Sequence, residues 1–257
     1  VVPIAPGISN TPTTVAAGGV AFRYLAAGTT QVRATIPGAG MRALAGATAN
    51  VTVNSTALTL AADYIGSGLQ RSRTVGLSAP APAGGVPVTI TADRLGVVQF
   101  APNATTLGTD TLVVTIPQGA TTASFVVQGA DGIIADTVLL SATSPGYASG
   151  SGEQRVWQGV VEYSGLLTAM TTLAADDPFT VTVGTPVSPA GTQIWSADAR
   201  RFGSAPITAT VTSVTSTVAQ LVSTARTGDT VTVDFASGQR TTPTTVALGG
   251  VAVQPLT

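Results

Sequence analysis

The ten residues TPTTVAAGGV at 11–20 return as TPTTVALGGV at 242–251, with one letter changed. A phrase repeated at an offset of 231 residues obliges the chain to build the same local geometry twice, which restricts it to repeated modules. The match extends outward, with Gly7 on Gly238, Val2 on Val233 and Leu25 on Leu256. A shorter period lies inside the long one. GTDTLVVTIPQGATTASFVVQG (108–129) parallels TGDTVTVDFASGQRTTPTTVALGG (227–250), placing Asp110 on Asp229, Leu112 on Val231, Val114 on Val233, Ile116 on Phe235 and Gly119 on Gly238. PVTIT (87–91) parallels PITAT (206–210), LAAD at 60–63 parallels LAAD at 173–176, and RATIPG (33–38) parallels SATSPG (141–146). The expected organisation is one complete unit at 53–158, the closing strands of a unit at 1–52, and the opening part of a second unit type at 159–257. That last part needs completion by the next repeat of the same polypeptide or by a neighbouring chain; the covalent route is favoured.

Alternation of period two runs through most segments and predicts strands with one buried face. DTLVVTI (110–116) puts Leu112, Val114 and Ile116 on one side, and TVTVDF (230–235) does the same with Val231, Val233 and Phe235. TASFVVQ (122–128) aligns Ala123, Phe125 and Val127. Further strands are predicted at 29–36, 48–54, 86–91, 136–143, 155–163 and 179–184, separated by the turn formers PQG, APNA, SPG, SGSG and RTGD. ADARRFG (197–203) is the one stretch compatible with a short helical turn. The fold class is all-β, with antiparallel sheets packed as sandwiches.

Only 9% of the residues are charged, against about 25% in an ordinary soluble domain. The surface is therefore mostly Thr, Ser, Gly and Ala, and it lacks the charge that holds neighbouring molecules apart. With a net charge of −1 and no basic stripe, the chain offers nothing to phosphates, so no nucleic-acid partner is expected. No apolar run reaches the roughly 18 residues of a membrane helix, so no span is expected. No charged-then-apolar leader opens the chain, as expected of a mature or internal segment. The chain has no His, Cys or Lys. Ser-His-Asp triads, His/Cys zinc sites, Schiff-base lysines and disulfides are thereby excluded. What remains is ten Asp with Glu153 and Glu162, placed at turns and strand ends, and no catalysis is expected.

SAPAPAGGVPVTIT (78–91), IPQGATTASFVVQG (116–129) and SATSPGYASGSG (141–152) resemble bacterial Ig-like tandem repeats of large cell-surface, adhesin-like proteins. TTLAADDPFTVTVG (171–184) through TPTTVALGGVAVQPL (242–256) resembles an alternating partner module of such arrays. The resemblance implies tandem Ig-like antiparallel β-sandwiches, an extracellular location and a filamentous or stalk-like role without intrinsic catalysis. The expected function is a structural repeat of an extracellular fibre, sheath or stalk that associates with identical repeats or neighbouring chains. The alternative is an adhesin segment binding surface glycans or proteins.

Two constellations are singled out for chemistry. Asp63 in LAADYIG and the pair Asp176–Asp177 in LAADDPF begin equivalent units, and clustered carboxylates there would suit a structural calcium ion. No DxDxDG spacing accompanies them, and aspartate before a strand is also an ordinary turn former. Trp195, with Arg200, Arg201 and Phe202, marks a loop of the second unit that serves either as a cap on a sandwich edge or as a contact site for a glycan. Trp157, within RVWQGVV, is expected in the core.

Overall fold

A computed structural model describes residues 10–22, 28–35, 47–53 and 55–256. The correspondences at Val2, Gly7 and Leu25 lie outside the described residues. The chain divides into two compact units, Val1–Ser55 and Thr56–Thr257. The second and third parts expected from the sequence thus fall within one unit.

In the first unit, β1 (Gly28–Arg33) and β2 (Thr48–Val53) form an antiparallel pair with Gly28 opposite Val53 and Arg33 opposite Thr48. Opposed residues of antiparallel strands share a face. Thr30, Val32, Ala49, Val51 and Val53 therefore lie on one side, and Thr29, Gln31, Arg33, Thr48, Asn50 and Thr52 on the other. The polar side is cross-linked, with the Thr29 and Thr52 hydroxyls 3.3 Å apart and Gln31 donating to Asn50 Oδ1 at 3.3 Å. The other side is apolar but for Thr30, and no residue of either strand is buried.

The second unit opens with β3 (Leu58–Thr59), β4 (Asp63–Gly66), β5 (Leu69–Leu77), β6 (Val86–Ala92), β7 (Val98–Ala101), β8 (Thr111–Ile116), β9 (Thr122–Gly129), β10 (Ala135–Thr143) and β11 (Gly150–Trp157). It continues with β12 (Val160–Ser164), β13 (Asp177–Pro186), β14 (Ile194–Ser196), β15 (Ala199–Arg200), β16 (Ile207–Thr212), β17 (Ala219–Val222), β18 (Thr227–Gly228), β19 (Thr230–Phe235) and β20 (Val251–Pro255). The first nine strands form two sheets around one core. One sheet runs β4-β11-β10-β6-β8; the other runs β5-β9-β7 with β3 on β5. Their inner faces meet through Val86, Val88, Ile90, Ile116, Val138 and Leu140 on one side and Val75, Leu77, Phe100, Phe125 and Val127 on the other. β4 joins β11 in parallel; the other named strand pairs are antiparallel.

The later strands repeat this plan in part. β12-β13-β20-β17-β18 form a sheet with β14 on β13, and β16 pairs with β19. Phe179, Val181, Val183, Leu221 and Val251 of the larger sheet share a core with Val231, Val233 and Phe235 of β19. Pairing makes the correspondence with the first sandwich explicit. β3·β5, β5·β9, β7·β9 and β6·β8 have counterparts in β12·β13, β13·β20, β17·β20 and β16·β19.

The two copies of the repeated phrase fold alike. Val15–Ala17 and Val246–Leu248 each form a single 3-10 turn entered from an extended Thr and closed by a left-handed glycine, Gly18 at φ 94° and Gly249 at φ 97°. Glycine is required at that backbone angle. The next residue must be glycine for a different reason. A Cβ on Gly19 would lie 2.1 Å from the Pro12 carbonyl oxygen, and one on Gly250 would lie 2.3 Å from that of Pro243. The copies differ in their surroundings. Val251 enters β20 and is wholly buried, whereas Val20 is 70% exposed.

Three local expectations are corrected. SGSG (149–152) is not a turn, because Gly150–Trp157 is strand. Gly150 and Gly152 are glycines because a Cβ on either would lie within 2.5 Å of the Leu58 or Leu60 carbonyl oxygen. The strand expected at 155–163 is two, β11 and β12. ADARRFG holds no helical turn; Ala199 and Arg200 form β15, which pairs with Gln70 and Leu69 of β5. A two-residue strand between turns has no periodicity to read.

Candidate functional site

A set of charged and aromatic side chains of the second unit comes together where the two sandwiches meet. β15 belongs by chain order to the second sandwich but adds a strand to the sheet of the first. Two clusters flank that addition.

The first surrounds Arg71. Its Nε and Nη2 donate to the two oxygens of Asp198 at 2.9 and 2.5 Å, a bidentate pairing, and its Nη1 donates to Asp63 Oδ1 at 3.1 Å and to the Tyr64 carbonyl at 2.8 Å. Asp198, only 5% exposed, also accepts from the Thr185 hydroxyl at 2.5 Å and the Ser196 hydroxyl at 3.2 Å. Thr185 in turn accepts from the Gly66 N–H at 2.6 Å. Each buried oxygen is thus saturated. Beside it, Arg73 donates to Gln154 Oε1 at 2.7 Å and to the Ala61 carbonyl, and lies 3.7 Å from Asp63. Burial pulls the Arg73 pKa down, Asp63 offsets part of this, and the neighbouring Arg71 adds to it.

An aromatic column covers this cluster. Tyr64 stacks on Trp157 at 4.8 Å between centroids and meets Trp195 at 4.3 Å, tilted by 49°. The Arg71 guanidinium sits 4.4 Å from the Trp195 ring centroid, at cation–π range.

The second cluster surrounds Arg200, 3% exposed. It donates to the Ala205 carbonyl at 2.9 Å, to the Gly68 carbonyl at 2.7 Å and to Asp131. Arg201 reaches the other oxygen of Asp131 at 2.7 and 3.1 Å. Burial alone would raise the Asp131 pKa, but hydrogen bonds and charge from Arg200 and Arg201 outweigh it and hold the carboxyl below its ordinary range. Gly68, at φ 72°, admits the arrangement: a Cβ there would lie 2.2 Å from Arg200 Nη1. The Phe202 N–H donates to Gln70 Oε1 at 3.0 Å, and Gln70 accepts from Gln128 at 3.1 Å inside the first sandwich.

The residues singled out from sequence fall as follows. Trp195, Arg200, Arg201 and Phe202 all lie at this contact between sandwiches; Arg200 is buried, and Trp195 keeps 48% of its surface exposed. Trp157 is buried in the same column. Asp63 faces Arg71 and Arg73, an environment that repels a cation. Asp177 accepts the Leu167 N–H at 2.8 Å. Among the described residues no group of three or more acidic side chains converges. Sequence reasoning missed Asp131, Asp198, Thr185, Gln70 and Gln154. The available signal was Arg71 and Arg73 at alternate positions of LQRSRTVGL, where an apolar face was due.

An open cleft of about 290 Å³ beside the contact is lined by Leu69, Ile133, Val160, Val183 and Ile207 among others. Its sole ionisable lining residue is Asp131, already engaged by two arginines. The ion pairs of Arg71 with Asp198 and of Arg200 and Arg201 with Asp131 fasten one sandwich to the other, while those of Arg71 and Arg73 with Asp63 lie within the first. No protein-family model matches the chain, and no curated protein matches it.

Proposed function

We propose that this chain is a non-enzymatic structural repeat of an extracellular fibre, sheath or stalk assembled from Ig-like sandwiches. The observation that carries the reading is the repeated phrase, folded alike at 11–20 and 242–251, its last residue lying in a sheet in the second copy and, among the described residues, in none in the first. Self-similarity at a fixed period is the mark of repeat architectures, in which each module packs on its neighbours. Three further features support it. Successive sandwiches are stitched by β15 and by two ion-pair clusters, which suits a load-bearing element. The polar surface is short of charge, which suits close packing of neighbours. The ionisable groups of the contact region are consumed by one another, which leaves no poised acid, base or nucleophile there. An adhesin role centred on Trp195 is the weaker reading, because that ring is engaged by Tyr64 and Arg71.

Negative-stain electron microscopy and sedimentation of the purified chain test the proposal. End-to-end or laterally associated particles that grow with concentration are expected. A single monomeric species of 25.4 kDa at all concentrations would count against it.

A further inference from the structure

The second sandwich has counterparts of β3, β5, β6, β7, β8 and β9, and among the described residues it has none for β10 and β11. In the first sandwich β10 covers the edge of β6, with Leu140 opposite Ala92, Ser141 opposite Thr91 and Ala142 opposite Ile90. Beneath it Val88 and Ile90 are wholly buried. β16 pairs with β19 on one edge, and among the described residues nothing pairs with the other. Its inward residues Ile207, Ala209 and Val211 are only half-buried, so the core is open on that side.

The hairpin of the first unit has the missing form. It follows the repeated phrase as β10 and β11 follow β9, it is two antiparallel strands, and one of its faces is apolar but for Thr30 and unburied. RATIPG and SATSPG align Arg33 with Ser141 inside β10. Building on the fibre reading, we infer that β1 and β2 of one copy of this chain complete the second sandwich of another copy, β1 adding antiparallel to the free edge of β16. Polar Thr29, Gln31 and Arg33 then face solvent, and Val32, Ala34, Val51 and Val53 enter the open core. Strand addition pairs at once the backbone groups that the described residues leave open on both edges.

Two correspondences fix the register. Pairing on the equivalent strands β8 and β19 matches Val86 to Ile207, Val88 to Ala209 and Ile90 to Val211, and this ladder shifts by two residues the correspondence of PVTIT (87–91) with PITAT (206–210) read from the sequence. Carrying the β10–β6 register across places Val32 opposite Ser213, Arg33 opposite Thr212 and Ala34 opposite Val211. A slip of one residue would turn the apolar face outward.

The chain has no cysteine, so only the introduced thiols can link, and the peptide that joins them reads the register. Ala34→Cys and Val211→Cys variants of the 257-residue chain are mixed in a glutathione redox buffer and run on a non-reducing gel. The expected result is a shift from one chain mass to two, with a linked peptide joining positions 34 and 211. Val32→Cys with Ser213→Cys serves as the neighbouring pair should the first disturb packing. Ala34→Cys mixed with Ala209→Cys, two residues out of register, should stay unlinked, because disulfide geometry admits only a narrow range of separations. No linkage with either in-register pair, equal linkage with the control, or linkage confined within a chain carrying both substitutions would overturn the inference. Micrographs of the unmodified chain separate the two levels. Filaments without the linkage remove this seat and leave the fibre reading standing; absence of both removes both.

Discussion

Asp198 is the residue on which the contact between sandwiches depends most. It is buried, it is paired bidentately with Arg71, and it accepts two hydroxyl bonds. Asp198→Ala leaves Arg71 short of its main partner, and breaking such a pair costs about 3–5 kcal/mol. Denaturant unfolding of the variant should show a loss of that size. Asp131 gives a different signature. Its carboxyl is held below its unfolded value by Arg200 and Arg201, so the stability it contributes is present above the ordinary carboxylate range and is lost as pH falls through and below it. Melting temperatures recorded from about pH 7 down to about pH 2 should fall in that acid window, and Asp131→Asn should flatten the fall. Solvent reaches Asp131, so the effect is smaller than at Asp198. Neither aspartate stood out in the sequence. Trp195 and Arg200 did, as bulky or charged residues in a loop, but their partners lie about 70 to 130 residues away and leave no local mark.

At the scale of elements, legibility followed the chemistry of the buried face. β8 and β19 alternate buried and exposed residues and were readable directly, whereas β9 alternates only at its start and is buried on both faces from Phe125 to Gly129. β5 was not readable, because Arg71 and Arg73 occupy inward positions between Leu69 and Val75 and erase the period; Asp63, Asp198, Gln154 and the Tyr64 and Ala61 carbonyls, from elsewhere in the chain, make that face tolerable. β11 was half legible, since the glycines that let its first residues approach β3 read as a turn. The repeat was the most informative element-level feature, because its correspondence of 110–116 with 229–235 reappears as β8 on β6 and β19 on β16, although Val246–Leu248 is a 3-10 turn where 122–129 is strand and β20 begins only at Val251. It also yields a paired prediction. Gly250→Ala drives a methyl group into the Pro243 carbonyl and should destabilise the second unit by about 1–3 kcal/mol, the usual range for overpacking. Gly19→Ala makes the same clash in the first unit, and in solutions dilute enough to keep copies apart the transition of the second unit should not move. Thermal unfolding followed by a fluorophore near Trp157 distinguishes the two.

For the whole molecule, what matters is how little charge it carries. With 9% charged residues and a net charge of −1, association between copies has no large electrostatic term to screen. Sedimentation at low and high salt should therefore give the same extent of assembly within error, and dissolution by salt would point to a charge-driven contact instead. The pairing of β15 with β5 has a consequence for mechanics. Two beads joined by a bare linker swivel freely, but here rotation of one sandwich against the other must first peel Ala199 and Arg200 from Gln70 and Leu69 and pull a guanidinium from its carbonyl cradle. Bending is resisted by backbone pairing rather than by side-chain friction, so each such joint behaves as a stiff splice, and compliance along a string of these segments would be confined to the boundaries that lack one.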